Sequence, residues 1–530
     1  MEIIAYKLRL KVLATTPFPE CRRGIWCGDA QGRRYREGKG FEFVADAILV
    51  QNTTWKNAKA ELEHMGEADL LSYMENLWAD ELEGYRLIPN KSVWRTFPTI
   101  RCEKWSHENI ILIGDALHTA HYSIGSGTKL AMEDAIALFN TLSETENIKT
   151  ALKRFEDVRR IEVEITQHAA DVSVVWTENA ERYREMKPIQ ATYSMLTRSK
   201  QITHENLRLR DSGFIDNVEN QFADELRQQG FIIPKGTPPM FMPFKLRDLT
   251  LANRVVVSPM DMYMADNGTV GDFHFVHLGS LAMGGAGLVF SEMTCVSVDG
   301  RITPGCAGLY RPEHVTNWAR ITDYVHEQSD AKFCMQIGHA GRKGSTRVAW
   351  DGMDKPLKEG NWPLIAPSSL KFYPDNQTPR EMTRDDMDQV LVDFVETAKM
   401  ADEAGADMLE LHAAHGYLLS SFITSVSNQR IDEYGGSLEN RLRYPLEVFD
   451  AVRAVWPIEK PMSVRISATD WVGVEGVTGD EAVLISRAFN NHGCDIIDVS
   501  AGQTTPDADP IYGRMFQTWL SEQVRLEAGV

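Results

Sequence analysis

The sequence lacks a long apolar run, an excess of basic residues and a regular set of cysteines, and each absence excludes a class of protein. No run approaches the roughly 18 apolar residues that span a bilayer, and the first residues lack the apolar core and cleavage site of a signal peptide. The net charge of −19 provides no basic field to attract nucleic acid or an anionic membrane. The 7 cysteines are scattered, which argues against a disulfide framework or a metal site. We expect a soluble, cytoplasmic protein that binds neither nucleic acid nor membrane.

Length and composition predict three segments. A chain of 530 residues is too long for one ordinary core, and it shows neither repeats nor low-complexity tracts. Charged helical sequence runs from residue 151 to residue 186 with few breakers. Pro234, Pro238 and Pro239 then mark a linker, because each proline removes a hydrogen-bond donor and disfavours helix before it. The segments are residues 1–145, a partial α+β domain; 146–237, a helical segment and linker; and 238–530.

After the linker, short apolar strands alternate with helices. This alternation predicts an α/β fold with a parallel sheet, and polar residues just past the strand ends are typical of a (β/α)8 TIM barrel. The predicted strands are residues 255–259, 287–292, 332–337, 407–411, 462–466 and 495–500. The predicted helices are residues 316–328, 384–404, 441–455 and 479–492. The barrel is expected to be incomplete, truncated at the C-terminus, because only 6 strands are found where a closed barrel has eight.

Two imidazoles and a phenol follow one predicted strand, at His412, His415 and Tyr417. Such residues are poor core material, but they suit a site that holds a carbonyl oxygen and delivers a proton. Residues 428–441 downstream read NQRIDEYGGSLENR. The further motifs are Asn253-Arg254, Ser258-Pro259-Met260 with Tyr263, Gln336 to Lys343 (QIGHAGRK) and Val464 to Ser467 (VRIS). Together these motifs, over about residues 240–530, resemble the Old Yellow Enzyme family of flavin-dependent ene reductases.

The resemblance implies FMN in the barrel and hydride transfer to an activated C=C bond. It implies that His412 and His415 stabilise negative charge on the substrate oxygen. Tyr417 is implied as proton source or positioning phenol, and Tyr263 as a second phenol lining the pocket. Asp261 stands where some relatives carry a flavin-tuning cysteine or threonine, and an ionised carboxylate there disfavours a reduced anionic flavin. The implied cofactor contacts are Ser258, Pro259, Met260, Glu292, Gln336 and Arg465.

Structural roles stay open for several of these residues. A histidine at a strand end is often a satisfied core or surface residue, and Arg465 also suits a structural ion pair. Tyr263 suits packing as well as substrate contact, and His339 and Lys343 suit either role. The segment YGGSLENR, residues 434–441, suits a loop and helix start that supports the barrel.

A second flavin signature covers residues 109–142. A short apolar strand ends in Gly114-Asp115, and a loop with Gly125 and Gly127 leads to a helix. This stretch resembles the FAD-contacting segment of aromatic-ring hydroxylases of the p-hydroxybenzoate hydroxylase type. The resemblance implies that Asp115 binds the ribityl chain and that the helix start approaches the flavin and its phosphates. An ordinary strand, loop and helix with a capping aspartate is the alternative.

The front half lacks two features of such a hydroxylase. The usual proline of the loop is replaced by Tyr-Ser-Ile at residues 122–124. No GxGxxG follows a first strand to hold the ADP half of FAD. The nearest glycines, which are loosely spaced, are Gly24, Gly28, Gly32 and Gly38. We therefore expect a partial FAD-dependent hydroxylase-like domain.

The order of the two halves resembles the bifunctional 2-aminobenzoyl-CoA monooxygenase/reductase and salicylyl-CoA 5-hydroxylase group. That resemblance implies FAD in front, FMN behind, NAD(P)H as reductant and an aromatic acyl-CoA substrate, with a role in aromatic degradation. Two alternatives remain open. One is an NAD(P)H-dependent enone or dienoyl-CoA reductase alone, and the other is a cofactor-free, non-catalytic fragment. Assembly as a homo-oligomer is also left open.

Overall fold

Two units divide the chain, residues 1–218 and 219–530. The helical segment expected at residues 146–237 is shared between them. The computed structural model describes residues 4–5, 8–14, 41–47, 65–77, 79–82, 84–87, 95–96, 99–108, 110–183 and 185–530. The loosely spaced glycines Gly24, Gly28, Gly32 and Gly38 lie outside the described residues.

The first unit combines short antiparallel strand pairs with longer helices. Its strands are β1 (Ile4–Ala5), β2 (Leu8–Ala14), β3 (Phe41–Ala47), β4 (Arg95–Thr96), β5 (Ser106–His107) and β6 (Ile110–Ile111). Its helices are α1 (Glu67–Leu77), α2 (Ala79–Leu82), α3 (Gly127–Glu144), α4 (Ile148–Glu178), α5 (Pro188–Thr197), α6 (His204–Arg210) and the start of α7 (Ser212–Gln228). Strand β1 pairs with β4, β2 with β3, and β5 with β6. Helices α3 and α4 contribute Leu130, Phe155 and Val163 to a core that also holds Trp105 and Leu117.

The second unit is built on a parallel sheet. Its strands are β7 (Phe244–Leu246), β8 (Leu249–Leu251), β9 (Val256–Val257), β10 (Leu288–Phe290), β11 (Thr294–Cys295), β12 (Lys332–Gly338), β13 (Ile365–Ala366), β14 (Arg380–Glu381), β15 (Met408–Ala413), β16 (Met462–Ser467) and β17 (Ile496–Ser500). Its further helices are α8 (Asp272–Met283), α9 (Pro312–Gln328), α10 (Ala349–Gly352), α11 (Arg384–Glu403), α12 (Leu418–Ile423), α13 (Leu438–Val455), α14 (Gly479–Asn491) and α15 (Thr518–Ala528). The sheet runs in the order β9-β10-β12-β15-β16-β17, with β11 paired to β12.

The predicted α/β class is confirmed, since every pairing within this sheet is parallel. All residues of β15 and all but the first of β12 are buried. Near-continuous apolar strands therefore have helices on their outer face, as the sequence pattern indicated. Helix α8 is one of the elements that periodicity missed, because its apolar residues surround the helix: Leu278 is buried while Val276 is 62% exposed.

Parallel pairing in chain order places the carboxyl ends of the strands at one edge of the sheet, where the polar motifs lie. Among the described residues, no helix is both long enough and apolar enough to cross a membrane. The same residues contain no group of three or more His, Cys, Asp or Glu side chains placed to hold a metal ion.

Candidate active site

A buried polar row crosses three neighbouring strands below the carboxyl edge. Gln336 of β12, Glu410 of β15 and Ser463 of β16 are paired in register. Gln336 Nε2 donates to Glu410 Oε1 at 2.8 Å, and Ser463 Oγ donates to Glu410 Oε2 at 2.5 Å. Burial raises the pKa of Glu410, and the nearby Asp498 raises it further. The row thus joins the three strands through one carboxyl group and positions Gln336 beneath the strand ends.

A second row lies two residues further along each strand and contains His412, Arg465 and Asp498 in register. Residues two apart share a strand face, so this row lies directly above the first. Arg465 Nε lies 3.3 Å from Asp498 Oδ2, and Arg465 Nη1 contacts the Pro259 carbonyl at 3.5 Å. Arg465 Nε is nevertheless buried and has no hydrogen-bond partner in the part of the chain that the structure describes. A buried donor of this kind fits an acceptor atom on a ligand, as the electron-rich edge of FMN provides.

Gly338, at the end of β12, lets neighbouring side chains approach the strand closely. A Cβ atom at Gly338 would lie 2.8 Å from Met293 Sδ and 3.1 Å from His412 Cβ. The segment 292–294 therefore reaches the strand ends, as expected for the floor of the pocket. Both oxygens of Glu292 are occupied there, by His274 Nε2 at 2.8 Å and the Met262 N–H at 3.1 Å. A direct cofactor contact from Glu292 stays a prediction.

Hydrogen bonds connect the two predicted catalytic histidines in a chain. The Ala414 N–H donates to His412 Nδ1 at 3.2 Å, which assigns the ring proton of His412 to Nε2. His412 Nε2 then donates to His415 Nδ1 at 3.3 Å, and His415 Nε2 donates to Ser500 Oγ at 2.6 Å. Ser500 Oγ also accepts from Gln517 Nε2 at 3.3 Å. We call His412, His415 and Ser500 the histidine relay.

Both imidazoles of the relay are neutral. Burial lowers the pKa of His412 and His415 well below the usual histidine value, and the positive charges of Arg465 and Lys343 lower it further. Neutral imidazole is an N–H donor that carries no charge needing compensation in the buried site. The relay can therefore hold a developing oxyanion by hydrogen bonding alone.

The backbone after β15 is held in an unusual conformation. His415 has φ 61° and Gly416 has φ 73°, a left-handed pair that is unfavourable for a histidine. Lys343 Nζ donates to the carbonyls of His415 at 3.0 Å and Gln503 at 3.1 Å, and the His415 N–H donates to Ser467 Oγ at 2.9 Å. These contacts fix the His415 ring against the loop that follows β17. These contacts favour the structural role for Lys343 over a role in catalysis.

The two predicted phenols face the same pocket. The Tyr417 ring lies 4.9 Å from the His412 ring at an interplanar angle of 83°. Burial raises the pKa of Tyr417 well above its usual value, and Asp261 raises it further, so the hydroxyl keeps its proton. Tyr263 packs with Met293 and Cys306 in the hydrophobic cluster that also contains Tyr417. The structure thus brings Tyr417 to the histidine relay and places Tyr263 in the same hydrophobic cluster as Tyr417.

The remaining barrel residues of the predicted site lie at the end of β9. Pro259 is partly buried, whereas Ser258 and Met260 are exposed. Pro259 reaches the site through its carbonyl contact with Arg465. Binding of the cofactor by Ser258 and Met260 stays a prediction.

In the first unit, a buried carboxylate shapes the turn at Gly114-Asp115. Asp134 Oδ2 accepts from the Gly114 N–H at 3.0 Å and from His118 Nε2 at 2.8 Å, while its Oδ1 accepts from Arg159 Nε at 3.1 Å. Gly114 adopts φ 58°, where the absence of a side chain removes strain. Asp115 is left exposed beside this anchored turn.

The predicted glycine loop leaves open space before helix α3. Gly125 has φ 65°, and Cβ atoms at Gly125 and Gly127 would meet none of the described residues within 4 Å. Helix α3 begins at Gly127, so its first N–H groups lie next to that space. An exposed carboxylate, an open glycine loop and a helix start fit the approach of a flavin and its phosphate.

Ser500 and Glu410 are the site residues that sequence reasoning missed. Ser500 ends the predicted strand 495–500, and this position at a strand end is the one sequence feature that indicates a site residue. Glu410 interrupts an apolar strand, and a carboxyl among buried residues indicates a hydrogen-bonded partner. Neither residue type is distinctive enough by itself to predict its role.

Two family models match the chain. The NADH:flavin oxidoreductase / NADH oxidase family matches residues 239–521, and an FAD binding domain matches residues 80–170. These matches confirm the predicted FMN-type barrel and the predicted FAD-binding region. The first match spans the histidine relay, and the second spans Asp115, Gly125 and Gly127.

Similar proteins cover about half of this chain. An NADH:flavin oxidoreductase from Gibberella zeae is 38% identical over 56% of this chain and 75% of its own length. An NADPH dehydrogenase from Geobacillus sp. is 39% identical over 55% of this chain and 81% of its own length. A solved 2-naphthoyl-CoA reductase complex with 2-naphthoyl-CoA is 25% identical with TM-score 0.46, covering 51% of this chain and 42% of that chain.

Proposed function

The chain belongs to the NADH:flavin oxidoreductase / NADH oxidase family, and we propose that its barrel reduces the activated C=C bond of a small enone with NAD(P)H. The family makes the protein a flavin-dependent oxidoreductase. The observation that carries the proposal is the histidine relay at the end of β15, where neutral N–H donors and the Tyr417 phenol meet. Donors of this kind stabilise an oxyanion that forms when hydride reaches the β-carbon.

FMN, when bound, supplies the hydride that it has received from NAD(P)H. A substrate oxygen that enters between the imidazoles accepts from His412 Nε2. Because a serine hydroxyl rotates freely, Ser500 can then donate to His415 Nε2 while it still accepts from Gln517. This arrangement requires the His415 tautomer with its proton on Nδ1, which forms when Nε2 releases its proton to solvent and Nδ1 takes one up. Both imidazoles then donate to the same oxygen. In this proposal the relay becomes the two-donor site that the family resemblance implies.

Proton delivery falls to Tyr417 in this proposal. Its raised pKa keeps the hydroxyl protonated, and its ring lies beside His412. The phenol donates its proton to the α-carbon as the enolate collapses. Tyr263 completes the wall of the pocket near Met293 and Cys306.

The test is anaerobic reduction of a simple enone by the purified chain, with flavin content measured first. Release of FMN from the protein and reduction of the enone are the expected results. Absence of flavin would instead identify a non-catalytic chain. FMN with flavin reduction but no enone product would contradict ene reduction. Oxidation of NAD(P)H in air is not a test, since oxygen reoxidises flavin without these residues.

A second candidate activity concerns the front half: FAD-dependent monooxygenation of an aromatic acyl-CoA. The exposed Asp115 beside the open loop at Gly125 and Gly127 favours it. With the barrel, this activity would make the protein similar to the bifunctional 2-aminobenzoyl-CoA monooxygenase/reductase and salicylyl-CoA 5-hydroxylase group. Incubation with 2-aminobenzoyl-CoA, NADPH and ¹⁸O₂ tests it, because one labelled oxygen in the product supports the activity. Reduction of added enones without formation of a labelled product would support the reductase activity only.

A further inference from the structure

Asp261 and Glu292 form a reciprocal pair of carboxyl groups at the strand ends. The Met293 N–H donates to Asp261 Oδ1 at 3.1 Å, and the Met262 N–H donates to Glu292 Oε2 at 3.1 Å. Each acid therefore binds the backbone next to the other acid. This exchange joins the loop after β9 to the segment after β10 and keeps the two carboxyl groups close together.

Glu292 carries the negative charge of the pair. His274 Nδ1 accepts from the Gly271 N–H at 3.3 Å, so the His274 proton is on Nε2, which donates to Glu292 Oε1 at 2.8 Å. With Met262, both Glu292 oxygens act as acceptors, as a carboxylate requires. Asp261 beside it meets a like charge, which disfavours a second ionisation. Burial is the larger cause and the charge of Glu292 the next cause that raise the pKa of Asp261 to about 7.

Asp261 also faces the groups of the flavin pocket. Tyr263 on the same loop is a hydrogen-bond partner, and Arg465 of β16 lies close enough to oppose the effect of Glu292. The charge of Asp261 acts in turn on Lys343 after β12, on Tyr417 before α12, and on Cys295 of β11. Asp261 is therefore an acid inside the pocket, with Arg465 and Lys343 as the cations that face it.

We propose that Asp261 is a proton-binding site linked to flavin reduction, which takes up one proton from solvent when the barrel flavin receives two electrons from NAD(P)H. The inference rests on the proposed function of the barrel. Reduction adds negative charge to the pocket, and that charge favours the protonated form of Asp261. The electrons go to the flavin, and the only bond formed at Asp261 is O–H. Reoxidation by substrate removes the charge and releases the proton.

The linkage predicts a specific pH dependence of the flavin midpoint potential. Below pH 7, Asp261 is protonated in both redox states, so it adds nothing. Before reduction, Asp261 has a pKa of about 7, so above this pH it takes up one extra proton when the flavin receives two electrons. The midpoint potential then becomes more negative by about 30 mV for each tenfold fall in proton concentration. Asp261→Asn removes this extra slope, and Asp261→Glu restores it.

Spectroelectrochemical titration of the FMN-loaded protein from about pH 6 to pH 9 measures the slope. Asp266→Asn is the matched control, because Asp266 is an exposed carboxylate five residues along the same loop whose Oδ1 accepts from Asn267 Nδ2. This variant should match the wild type. Equal slopes in the wild type and Asp261→Asn would overturn the inference.

If Asp261→Asn does not fold, proton uptake on reduction of the wild-type protein is measured with an indicator dye. Uptake of one more proton at pH 8 than at pH 6 supports the linkage, and an equal or smaller number refutes it. Failure of the wild type to bind FMN would refute the proposed function instead.

Discussion

Replacing Ser500 by alanine should separate the two half-reactions of the barrel. Ser500 Oγ is the partner of His415 Nε2 at 2.6 Å and of Gln517 Nε2 at 3.3 Å. The alanine variant leaves both N–H groups without this acceptor. It also removes the hydroxyl that, in our proposal, donates to His415 once a substrate oxygen has replaced the hydrogen bond between the two imidazoles.

The size of the effect follows from these two bonds. A buried donor left unsatisfied costs about 1–3 kcal/mol, so we expect the free energy of unfolding to fall by roughly 2 kcal/mol. A loss of similar size in transition-state stabilisation slows reduction of the enone by about 10- to 100-fold. Reduction of FMN by NAD(P)H does not use the substrate oxygen and should change less than threefold, equivalent to less than about 0.7 kcal/mol.

Anaerobic stopped-flow absorbance measures the two half-reactions separately. Ser486→Ala is the matched control, since Ser486 is buried in α14 and its hydroxyl has no hydrogen-bond partner among the described residues. The control should leave both rates unchanged. An unchanged rate of enone reduction in Ser500→Ala, or an equal fall in both half-reactions, would refute the relay.

Three further changes have calculable outcomes. Gly416→Ala should lower the free energy of unfolding in urea by about 1–3 kcal/mol, because φ is 73° and the new Cβ would lie 3.0 Å from the Gln503 carbonyl. Asp134→Asn should destabilise the first unit by about 3 kcal/mol, because Arg159 loses a buried partner, and should reduce bound FAD but not FMN. Burial lowers the pKa of Lys343 to about 8 from its usual 10.5, so the unfolded chain binds more protons between these values and stability rises with pH there. Lys343→Met should abolish that rise in urea titrations.

The barrel and the histidines were predictable because local signals agree with the fold. Apolar strands alternating with helices indicate a parallel sheet, and polar residues at strand ends indicate the edge that carries the site. His412, His415 and Tyr417 satisfy that rule within six consecutive residues of the sequence. The structure places them together for the same reason.

The partners of these residues depend on pairing across strands, which a single sequence does not reveal. Arg465 meets His412 through strand register, and Ser500 meets His415 across 85 residues. The sequence shows that Asp261 replaces the cysteine or threonine of some relatives. Its link to Glu292, however, depends on the spatial approach of two loops. Residue type and spacing thus indicate the chemistry, while tertiary packing determines tautomers and charge.

The most direct measurement is the rate at which an enone oxidises the reduced, FMN-loaded His412→Ala/His415→Ala variant. We expect that FMN content and reduction by NAD(P)H persist in this variant, while reoxidation by the enone slows by at least about 100-fold. The matched control is His326→Ala/His492→Ala, which removes two histidines that form hydrogen bonds with Asp407 and Asp450 away from the site. It should react at the wild-type rate. Reoxidation of the His412/His415 variant at that same rate would contradict the central claim that these imidazoles hold the substrate oxygen.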